Sequence, residues 1–357
     1  MTSPTTSARG VRRPRWARGV RAALAVATVL TLAACGAAPG SPSASPEQPK
    51  AKVRFALDWT PNTNHTGLYV AIDKGYFAEA GIEVEVVPYN SSSPDVLVDS
   101  GQAEFGIGFQ NNTSISMAAG ADLRSVLAVQ QNWTTVISVL AERDDIQSPA
   151  DLDGLIHGGF GDVAEREVMS AVIEKAGGHG TFDTVVLGTT AYEALYERKV
   201  DFTVPFVAWE GIEAEHRGVK LKNFAYTDYG FPASYQVIVI GNGRWLDANP
   251  ALASAFVKAL ARGYEDAAAD PRAAATILQR LNGDVLTDLD FLVESQEMLS
   301  KNYMLDQNGK FGRQTEQQWR DLGRFLFEAG LLADGAGTRL TQEPDWSRFF
   351  TNEYLDR

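Results

Sequence analysis

Two short stretches in the first third of the chain combine aromatic, amide and acidic side chains, the residue types that bind flat polar ligands. Asp58, Trp59 and Asn64 lie in DWTPNTNHTG, and Gln110 and Asn112 lie in GFQNNTS. A tryptophan ring can stack on a flat ligand, and amide groups offer both hydrogen-bond donors and acceptors to a ring edge. We therefore expect these side chains to bind a small neutral heterocycle.

Two further stretches, HGGFGDV and VAWEGIE, contain Phe160 and Glu210. A glycine-rich turn before a helix can bind a phosphate, but HGGFGDV lacks the Lys-Ser/Thr of a P-loop. Asp162 and Glu165 also bring negative charge to that helix start, where they would repel an anion. We interpret Phe160 as a cleft wall and Glu210 as the hydrogen-bonding partner of an amino-substituted ring.

Structural roles remain open for several of these residues. Asp58 and His65 could equally stabilise the turn that contains them, and Asn64 could cap the following helix. One asparagine of GFQNNTS could also be a cap, and Glu210 could lie in a helical first turn, where the helix dipole favours an acid.

Catalytic motifs are missing from the sequence. It contains no GxSxG, CxxC or HExxH motif, and its four histidines show no metal-ligand spacing. Residues 58–72 contain no Lys or Arg, which argues against a sulfonate, nitrate or phosphate ligand. We therefore expect a binding protein that needs neither a metal nor a cofactor.

From residue 53 onward, strand-like and helix-like segments alternate, which predicts βαβ units and a mostly parallel sheet. The order predicts an α/β protein of two lobes, with the second lobe inserted into the first. We place the first lobe at residues 53–140 and 237–357, the latter largely helical, and the second at 141–236. Ligands of such folds bind beyond the carboxyl ends of the strands, where the four stretches fall.

The N-terminal residues are typical of an export signal. Residues 1–34 contain six arginines, no acidic residue and one apolar run too short to span a membrane. LAAC places Cys35 at the position of a lipidated cysteine, and residues 35–52, rich in Pro and Ser, predict a flexible tether. Since Cys35 is the one cysteine of the chain, no intrachain disulfide can form. The export route, general or twin-arginine, stays open.

The formal net charge of −13 argues against nucleic acid and anionic membrane surfaces as partners. An acidic body on a lipid-anchored tether would contact the membrane through its anchor alone. We expect a monomer on the outer face of the bacterial cell membrane.

Several stretches resemble one known family across residues 53–355: DWTPNTNHTGLYVAIDKGYFAEAGIEVEVV, SGQAEFGIG, SPADLDG, GGFG, WEGIEAE and TNEYL. The chain is similar to the periplasmic-binding-protein-like group associated with the pyrimidine precursor of thiamin. That group comprises solute-binding lipoproteins of bacterial ABC importers and the fungal hydroxymethylpyrimidine synthases.

The resemblance implies a type II periplasmic-binding-protein fold, an ABC permease and ATPase as partners, and a pyrimidine ligand such as formylaminopyrimidine or hydroxymethylpyrimidine. Carried over by position, it implies that Trp59, Asn64, Phe160, Glu210 and Tyr235 are cleft residues. Family members that bind riboflavin, and relatives that bind sulfonate or nitrate, leave those ligands as alternatives.

An enzyme of pyrimidine synthesis is the alternative from another functional class. The synthases carry a lysine, which holds pyridoxal phosphate, and a histidine in the segment that matches GIGFQNNTS. Gly108 and Asn112 occupy those positions here, and the Cys-rich stretch of the synthases is missing around Tyr235. We therefore expect the binding cleft without the chemistry.

Overall fold

The structure is a computed structural model that describes residues 50–90, 92–161 and 163–356. The predicted signal peptide, the predicted lipidation site Cys35 and nearly all of the predicted tether lie outside the described residues, as does Asp162. The first strand begins at Ala51, two residues before the predicted start of the first lobe, because Ala51 and Lys52 already pair with Ile82 and Glu83 of a neighbouring strand.

Nine strands are present among the described residues: β1 Ala51–Ala56, β2 Ile82–Val87, β3 Phe105–Phe109, β4 Leu123–Ala128, β5 Val136–Leu140, β6 Ile156–Gly159, β7 Asp183–Val186, β8 Leu221–Ala225 and β9 Val237–Asn242. The α-helices of the first half are α1 Thr66–Asp73, α2 Tyr76–Glu79, α3 Pro94–Asp99, α4 Gln110–Ala118, α5 Val163–Lys175, α6 Thr190–Tyr196 and α7 Ile212–His216. Those of the second half are α8 Gly243–Ala248, α9 Pro250–Ala269, α10 Pro271–Leu281, α11 Leu289–Asn302, α12 Glu316–Glu328 and α13 Glu353–Asp356.

The first lobe is built on a five-stranded sheet in the order β2-β1-β3-β9-β4. Strands β1, β2 and β3 pair in parallel, and β9 pairs antiparallel to both β3 and β4. The returning strand is thus inserted between β3 and β4 rather than added at an edge. All six residues of β9 are buried, as expected for a central strand covered on both faces.

The second lobe contains two small sheets, the antiparallel pair β5-β8 and the parallel pair β6-β7. Strand β5 at Val136–Leu140 falls before the predicted boundary at residue 140, but its pairing with β8 places it in the second lobe. Isolated bridges from Ser138 to Thr203 and from His157 to Phe202 connect them through one segment. The sequence predicts a strand across FTVPFVAW, but the structure shows only such bridges there, followed by a π-helical turn at Val207–Gly211. Pro205 lies in this segment, and proline cannot donate to a strand ladder.

The segment GLYVAIDKGYFAEAG forms two helices, α1 and α2, where the sequence pattern predicts one. Gly75 between them has φ of 75°, a left-handed conformation that ends a helix and that glycine adopts without steric cost. Helix α1 also approaches α9 closely, since a Cβ on Gly67 would lie 2.1 Å from the Tyr264 ring. Packing against α9 therefore fixes α1, and with it the loop that precedes α1.

None of the helices in the described ranges is both long and apolar enough to cross a membrane.

Candidate functional site

A cavity of about 320 Å³ lies where loops of the two lobes meet. Its lining comes from the β1–α1 loop, the start of α4, the β4–β5 crossing, the glycine turn after β6 and the π-helical turn before α7. The volume falls at the lower end of the roughly 300–1,000 Å³ typical of small-molecule sites. A compact ligand therefore suits the cavity.

The β1–α1 loop supplies the first wall. After β1 ends, a 3₁₀ turn at Thr63–His65 leads into α1. Asn62, rather than Asn64, caps this turn, because its side chain accepts a hydrogen bond from the backbone N–H of Asn64 at 2.9 Å. The Asn64 side chain is thereby left to line the cavity.

His65 and Asp58 are paired beneath this wall. The backbone N–H of Asn62 donates to His65 Nδ1 at 3.2 Å, so the ring carries its proton on Nε2. That Nε2 lies 2.6 Å from Asp58 Oδ1. Asp58 thus has one oxygen fixed by the histidine while its side chain lines the cavity, and His65 has a structural role.

A chain of hydrogen bonds sets the position of Asn64. The Thr134 hydroxyl donates to Gln130 Oε1 at 2.8 Å, and Gln130 Nε2 donates to Asn64 Oδ1 at 2.7 Å. The Tyr264 hydroxyl donates to the Asn64 carbonyl at 2.7 Å. The chain connects the β4–β5 crossing to the β1–α1 loop, so residues far apart in sequence hold one cleft amide.

Aromatic rings make up much of the remaining lining. Trp59 is 38% exposed and lies with its ring centre 4.8 Å from that of Tyr89. On the other lobe, Phe160, 39% exposed, lies 6.1 Å from Tyr192. Two exposed rings in a cavity lining offer stacking surfaces to a flat ligand.

Trp133 forms another part of the lining and is held by packing. Its ring lies 4.6 Å from Phe231 and 6.1 Å from Tyr226. Its Nε1 and the Oδ1 of Asn111, another lining residue, are buried atoms without a hydrogen-bond partner in the described part of the chain. An unpaired buried polar atom costs about 1–3 kcal/mol, and two such atoms in one lining are typical of a binding surface rather than of a core.

Glu210 belongs to the π-helical turn, a feature often found at functional sites. Its Oε2 accepts a hydrogen bond from the backbone N–H of Phe206 at 2.9 Å. Burial of the carboxyl raises the pKa of Glu210 from 4.5 to about 7, against the opposing effect of the Phe206 N–H. Near neutral pH this group can therefore act as a donor or as an acceptor.

The charged residues of the lining are all acidic: Asp58, Glu165 and Glu210. Among the described lining residues there is no Lys or Arg. Glu165 Oε2 accepts from the backbone N–H of Phe160 at 3.0 Å and so fixes the glycine turn. A cleft of this composition favours a neutral or basic ligand over an anion.

Helix α11 contacts binding elements of both lobes. Ser295 and Thr63 share a buried hydroxyl–hydroxyl hydrogen bond of 2.7 Å. One turn earlier on the helix, Phe291 packs edge-on to Trp209 with a ring-centre distance of 4.8 Å. Glu294 also pairs with His216 at 2.7 Å. The helix thus holds the β1–α1 loop and the π-helical turn on either side of the cavity.

Six of the eight predicted ligand-binding residues line the cavity: Asp58, Trp59, Asn64, Asn112, Phe160 and Glu210. Gln110 and Tyr235 do not, because both are fully buried and serve the core. Gln110 Oε1 accepts from the Tyr235 backbone N–H at 2.8 Å, and the Tyr235 hydroxyl accepts from the Thr315 backbone N–H at 2.7 Å. These bonds satisfy both side chains within the protein, so the structure assigns them a structural role.

The stretch QQNWTT supplies Gln130, Trp133 and Thr134 to the cavity lining. None of these three residues was predicted from the sequence. A signal was present, since the stretch follows β4 as DWTPNTNHTG follows β1, and both combine tryptophan with amides. Tyr192 and Tyr226 were also missed, and they carry no comparable signal because buried tyrosines are common in cores. In the described residues, no group of three or more His, Cys, Asp or Glu side chains is arranged to hold a metal ion.

Comparison with known proteins places this cleft in a family. The family model described as NMT1/THI5 like matches residues 62–274, which span the cleft from Asn62 to α10. The formylaminopyrimidine-binding protein of Halalkalibacterium halodurans is 29% identical over 324 residues, covering 88% of this chain and 96% of the relative. The riboflavin-binding protein RibY of Chloroflexus aurantiacus is 28% identical over 352 residues, covering 93% and 96%.

An enzyme is among the relatives. The 4-amino-5-hydroxymethyl-2-methylpyrimidine phosphate synthase THI12 of Saccharomyces cerevisiae is 22% identical over 320 residues, covering 85% of this chain and 88% of the relative. Among solved structures, the alkanesulfonate-binding protein SsuA of Xanthomonas axonopodis pv. citri superimposes with a TM-score of 0.62 at 14% identity, covering 79% of this chain and 94% of that one. This likeness confirms the predicted fold, that of the periplasmic binding proteins with two α/β lobes.

Proposed function

Because the chain belongs to the NMT1/THI5-like family, we propose that it is the solute-binding protein of an ABC importer for a thiamin-precursor pyrimidine. The observation that carries the proposal is the composition of the cleft, in which aromatic rings, amides and carboxyl groups occur without a cationic side chain in the described lining. A relative that binds formylaminopyrimidine, 29% identical across nearly its whole length, supports the same ligand here.

The proposal gives a separate task to each lobe. Trp59 of the first lobe and Phe160 of the second offer flat surfaces for the pyrimidine ring. Glu210 can donate its proton to a ring nitrogen and accept a hydrogen bond from an adjacent amino group, since its pKa lies near 7. Because residues of both lobes contact the ligand, binding favours the conformation in which the two lobes are close together.

A sulfonate or nitrate ligand is disfavoured although the fold is shared with an alkanesulfonate binder. Asp58, Glu165 and Glu210 line the cavity, and an anion among carboxylates, with no cation in the described lining, would be desolvated without compensation. Riboflavin remains the second candidate, supported by the 28% identical relative.

We propose binding without catalysis. The lysine of the related synthases corresponds to Gly108, which is buried in β3. A Cβ at Gly108 would lie 2.8 Å from Thr113 Oγ1 and 3.1 Å from Ile240 Cγ2, so a lysine side chain does not fit there. The described lining contains no lysine that could hold pyridoxal phosphate instead.

The proposal includes export and a lipid anchor at Cys35, a monomeric state, and an ABC permease and ATPase as membrane partners. Support comes from the signal-like sequence that ends in LAAC. In this arrangement the protein would collect its ligand outside the cell membrane and deliver it to the importer.

Titration calorimetry of the purified protein tests the ligand. Formylaminopyrimidine and hydroxymethylpyrimidine should bind, with riboflavin, taurine and nitrate as comparisons. Binding heat from taurine or nitrate alone would overturn the pyrimidine assignment in favour of an anion. Binding heat from riboflavin alone would support the second candidate. A turnover assay belongs to the same experiment, and conversion of a pyrimidine or vitamin precursor would contradict the absence of catalysis.

A further inference from the structure

Gln130 is almost fully buried, with 1% of its surface exposed, yet it lies in the lining of the cavity. Both ends of its amide are hydrogen-bonded: the Thr134 hydroxyl donates to Oε1, and Nε2 donates to Asn64 Oδ1. These bonds, of 2.8 and 2.7 Å, are at the short end of the normal range. Gln130 therefore connects Thr134 to Asn64 and leaves little freedom to either.

The direction of the hydrogen bonds from Thr134 through Gln130 to Asn64 determines whether Asn64 presents a donor or an acceptor to a ligand. An amide has one accepting and one donating end. Since the accepting Oδ1 of Asn64 is used by Gln130, the donating Nδ2 is the end left over. The backbone of Asn64 is also fixed, because Tyr264 donates to its carbonyl and Asn62 accepts from its N–H. The residue cannot turn as a whole to offer its other end.

We propose that Gln130 and Thr134 are positioning residues that hold the Asn64 amide with Nδ2 towards the cleft, so that the bound heterocycle presents a hydrogen-bond acceptor at Asn64. This inference rests on the proposed function and adds the polarity of one ligand contact to it. The acceptor is a ring nitrogen or a carbonyl or hydroxyl oxygen. Neither positioning residue needs to touch the ligand for this effect.

The acceptor requirement distinguishes Asn64 from the carboxyl groups on the rest of the lining. Asp58 accepts when ionised, and Glu210 can donate as well as accept near pH 7. An amide held by neutral neighbours keeps its donor at every pH. Asn64 therefore presents a hydrogen-bond donor to one edge of the ligand at every pH.

The substitution Gln130→Glu should reverse the direction of the hydrogen bond between residue 130 and Asn64. It preserves the length and shape of the side chain, but an ionised carboxylate only accepts hydrogen bonds. It would still accept from Thr134, and it would accept from Asn64 only if the asparagine amide rotated to offer Nδ2. The Asn64 oxygen would then face the acceptor of the ligand. Gln130→Met removes both bonds without adding a charge and leaves the amide free to rotate.

Calorimetry with formylaminopyrimidine at pH 8 measures the outcome. We expect Gln130→Met to weaken binding a few-fold and Gln130→Glu to weaken it about tenfold or more, since an unmatched polar pair replaces a hydrogen bond. At lower pH, protonation of the new carboxyl restores a donor towards Asn64, so the loss of affinity relative to the wild type at the same pH should become smaller. Gln102→Glu, an exposed site outside the cleft lining, controls for the added charge.

Thr134 provides an independent test. Thr134→Val keeps the shape but removes the hydroxyl that donates to Gln130, so the glutamine amide loses its fixed direction and ligand affinity should fall. Thr134→Ser retains a hydroxyl and should recover most of that loss. A role in stability alone would lower the melting temperature of the empty protein without this recovery pattern in affinity.

The outcomes separate the two proposals. If neither pyrimidine binds to the wild-type protein, the proposed function fails. If formylaminopyrimidine binds to the wild type and Gln130→Glu binds it equally well at pH 8, the function stands and the positioning inference is wrong. Equal affinities of the Thr134→Val and Thr134→Ser variants would overturn the inference in the same way.

Discussion

His65 Nε2 lies 2.6 Å from Asp58 Oδ1, and the histidine side chain is completely buried. The two residues are seven positions apart in sequence, and their contact joins two points of the β1–α1 loop. The same ring accepts from the backbone N–H of Asn62, so one imidazole satisfies groups at both ends of the loop. The shape of the loop that carries Trp59 and Asn64 thus depends on a residue outside the cavity lining.

His65→Leu should lower the free energy of unfolding by about 2–4 kcal/mol, because Asp58 loses its donor and the Asn62 N–H loses its acceptor. Asp58→Asn keeps an oxygen for Nε2 and should cost about 1 kcal/mol. Urea denaturation at pH 7 measures both variants. A loss no larger in His65→Leu than in Asp58→Asn would contradict the structural role of the histidine.

Trp59→Ala should weaken formylaminopyrimidine binding more than tenfold in calorimetry, since truncation of an aromatic hot spot costs about 2 kcal/mol or more. The melting temperature of the empty protein should change little, because the Trp59 ring is 38% exposed. Leu281→Ala is the matched control, with a side chain of similar exposure at 40% outside the cleft lining. Unchanged affinity in Trp59→Ala would exclude stacking on this ring.

The empty protein should lose stability as the pH rises through 7, because burial raises the pKa of Glu210 from 4.5 to about 7. Between these values the folded protein keeps a proton that the unfolded chain releases. The stabilising contribution is complete below pH 4.5 and is lost as the pH rises through about 7. Its size is on the order of 3 kcal/mol.

Because Glu210→Gln cannot ionise, comparing it with the wild type measures the pH-dependent contribution of Glu210 to the free energy of unfolding. Relative to the wild type, the variant should gain about 3 kcal/mol of unfolding free energy between pH 5 and pH 8. Urea denaturation at the two pH values gives the difference. A constant difference between the two proteins would show that Glu210 does not titrate in this range.

Ligand binding should respond to Glu210 in a direction that depends on ligand charge. Formylaminopyrimidine should bind the wild type more weakly at pH 8.5 than at pH 6, since a neutral ring nitrogen needs the protonated carboxyl as its donor. Glu210→Gln keeps an amide donor and acceptor, so its affinity should not depend on pH in this way, whereas Glu210→Leu should bind the ligand more weakly at both pH values. Removal of a buried hydrogen-bonding partner costs about 1–3 kcal/mol. Nitrate, an anion, should bind Glu210→Gln at least as well as the wild type, and the opposite order would contradict the pyrimidine assignment.

Cys35→Ala should abolish labelling by a fatty-acid analogue and release the protein from membranes, if LAAC directs lipidation. Fractionation of cells that express the two forms measures the release. Membrane association that is unchanged in the variant would contradict the lipid anchor. Ligand affinity of the two purified proteins should be equal, because Cys35 lies before the first strand of the fold.

Strand–helix alternation predicted two α/β lobes, because the period of apolar residues and the positions of Gly and Pro act locally, whereas the periplasmic-binding-protein fold was implied by the family resemblance. Alternation also predicted a mostly parallel sheet, but β9 pairs antiparallel to β3 and β4, and β5 pairs antiparallel to β8. The same local signals placed Trp59 and Phe160 at strand ends, where ligands of such folds bind. They failed at VAWEGIE, where a π-helical turn replaces the predicted strand end, since the extra residue of such a turn leaves no pattern in the sequence.

Gln110 and Tyr235 show what local reasoning could not decide. Both belong to stretches rich in binding-type residues, yet they bond to each other across 125 positions of sequence. An amide can satisfy a buried backbone group as well as a ligand, and only the tertiary structure determines which. The chain from Thr134 through Gln130 to Asn64 depends in the same way on contacts between distant segments.

Helix α11 has a consequence for the time course of transport. Moving the second lobe away from the first requires separation of Trp209 from Phe291 and of His216 from Glu294, while Thr63 and Ser295 remain joined within the first lobe. These contacts lie outside the ligand, so they add to the barrier for opening without adding to the selectivity of the cleft. Under the proposed function, these contacts add to the residence time of the bound molecule, and the importer would have to break them before translocation begins.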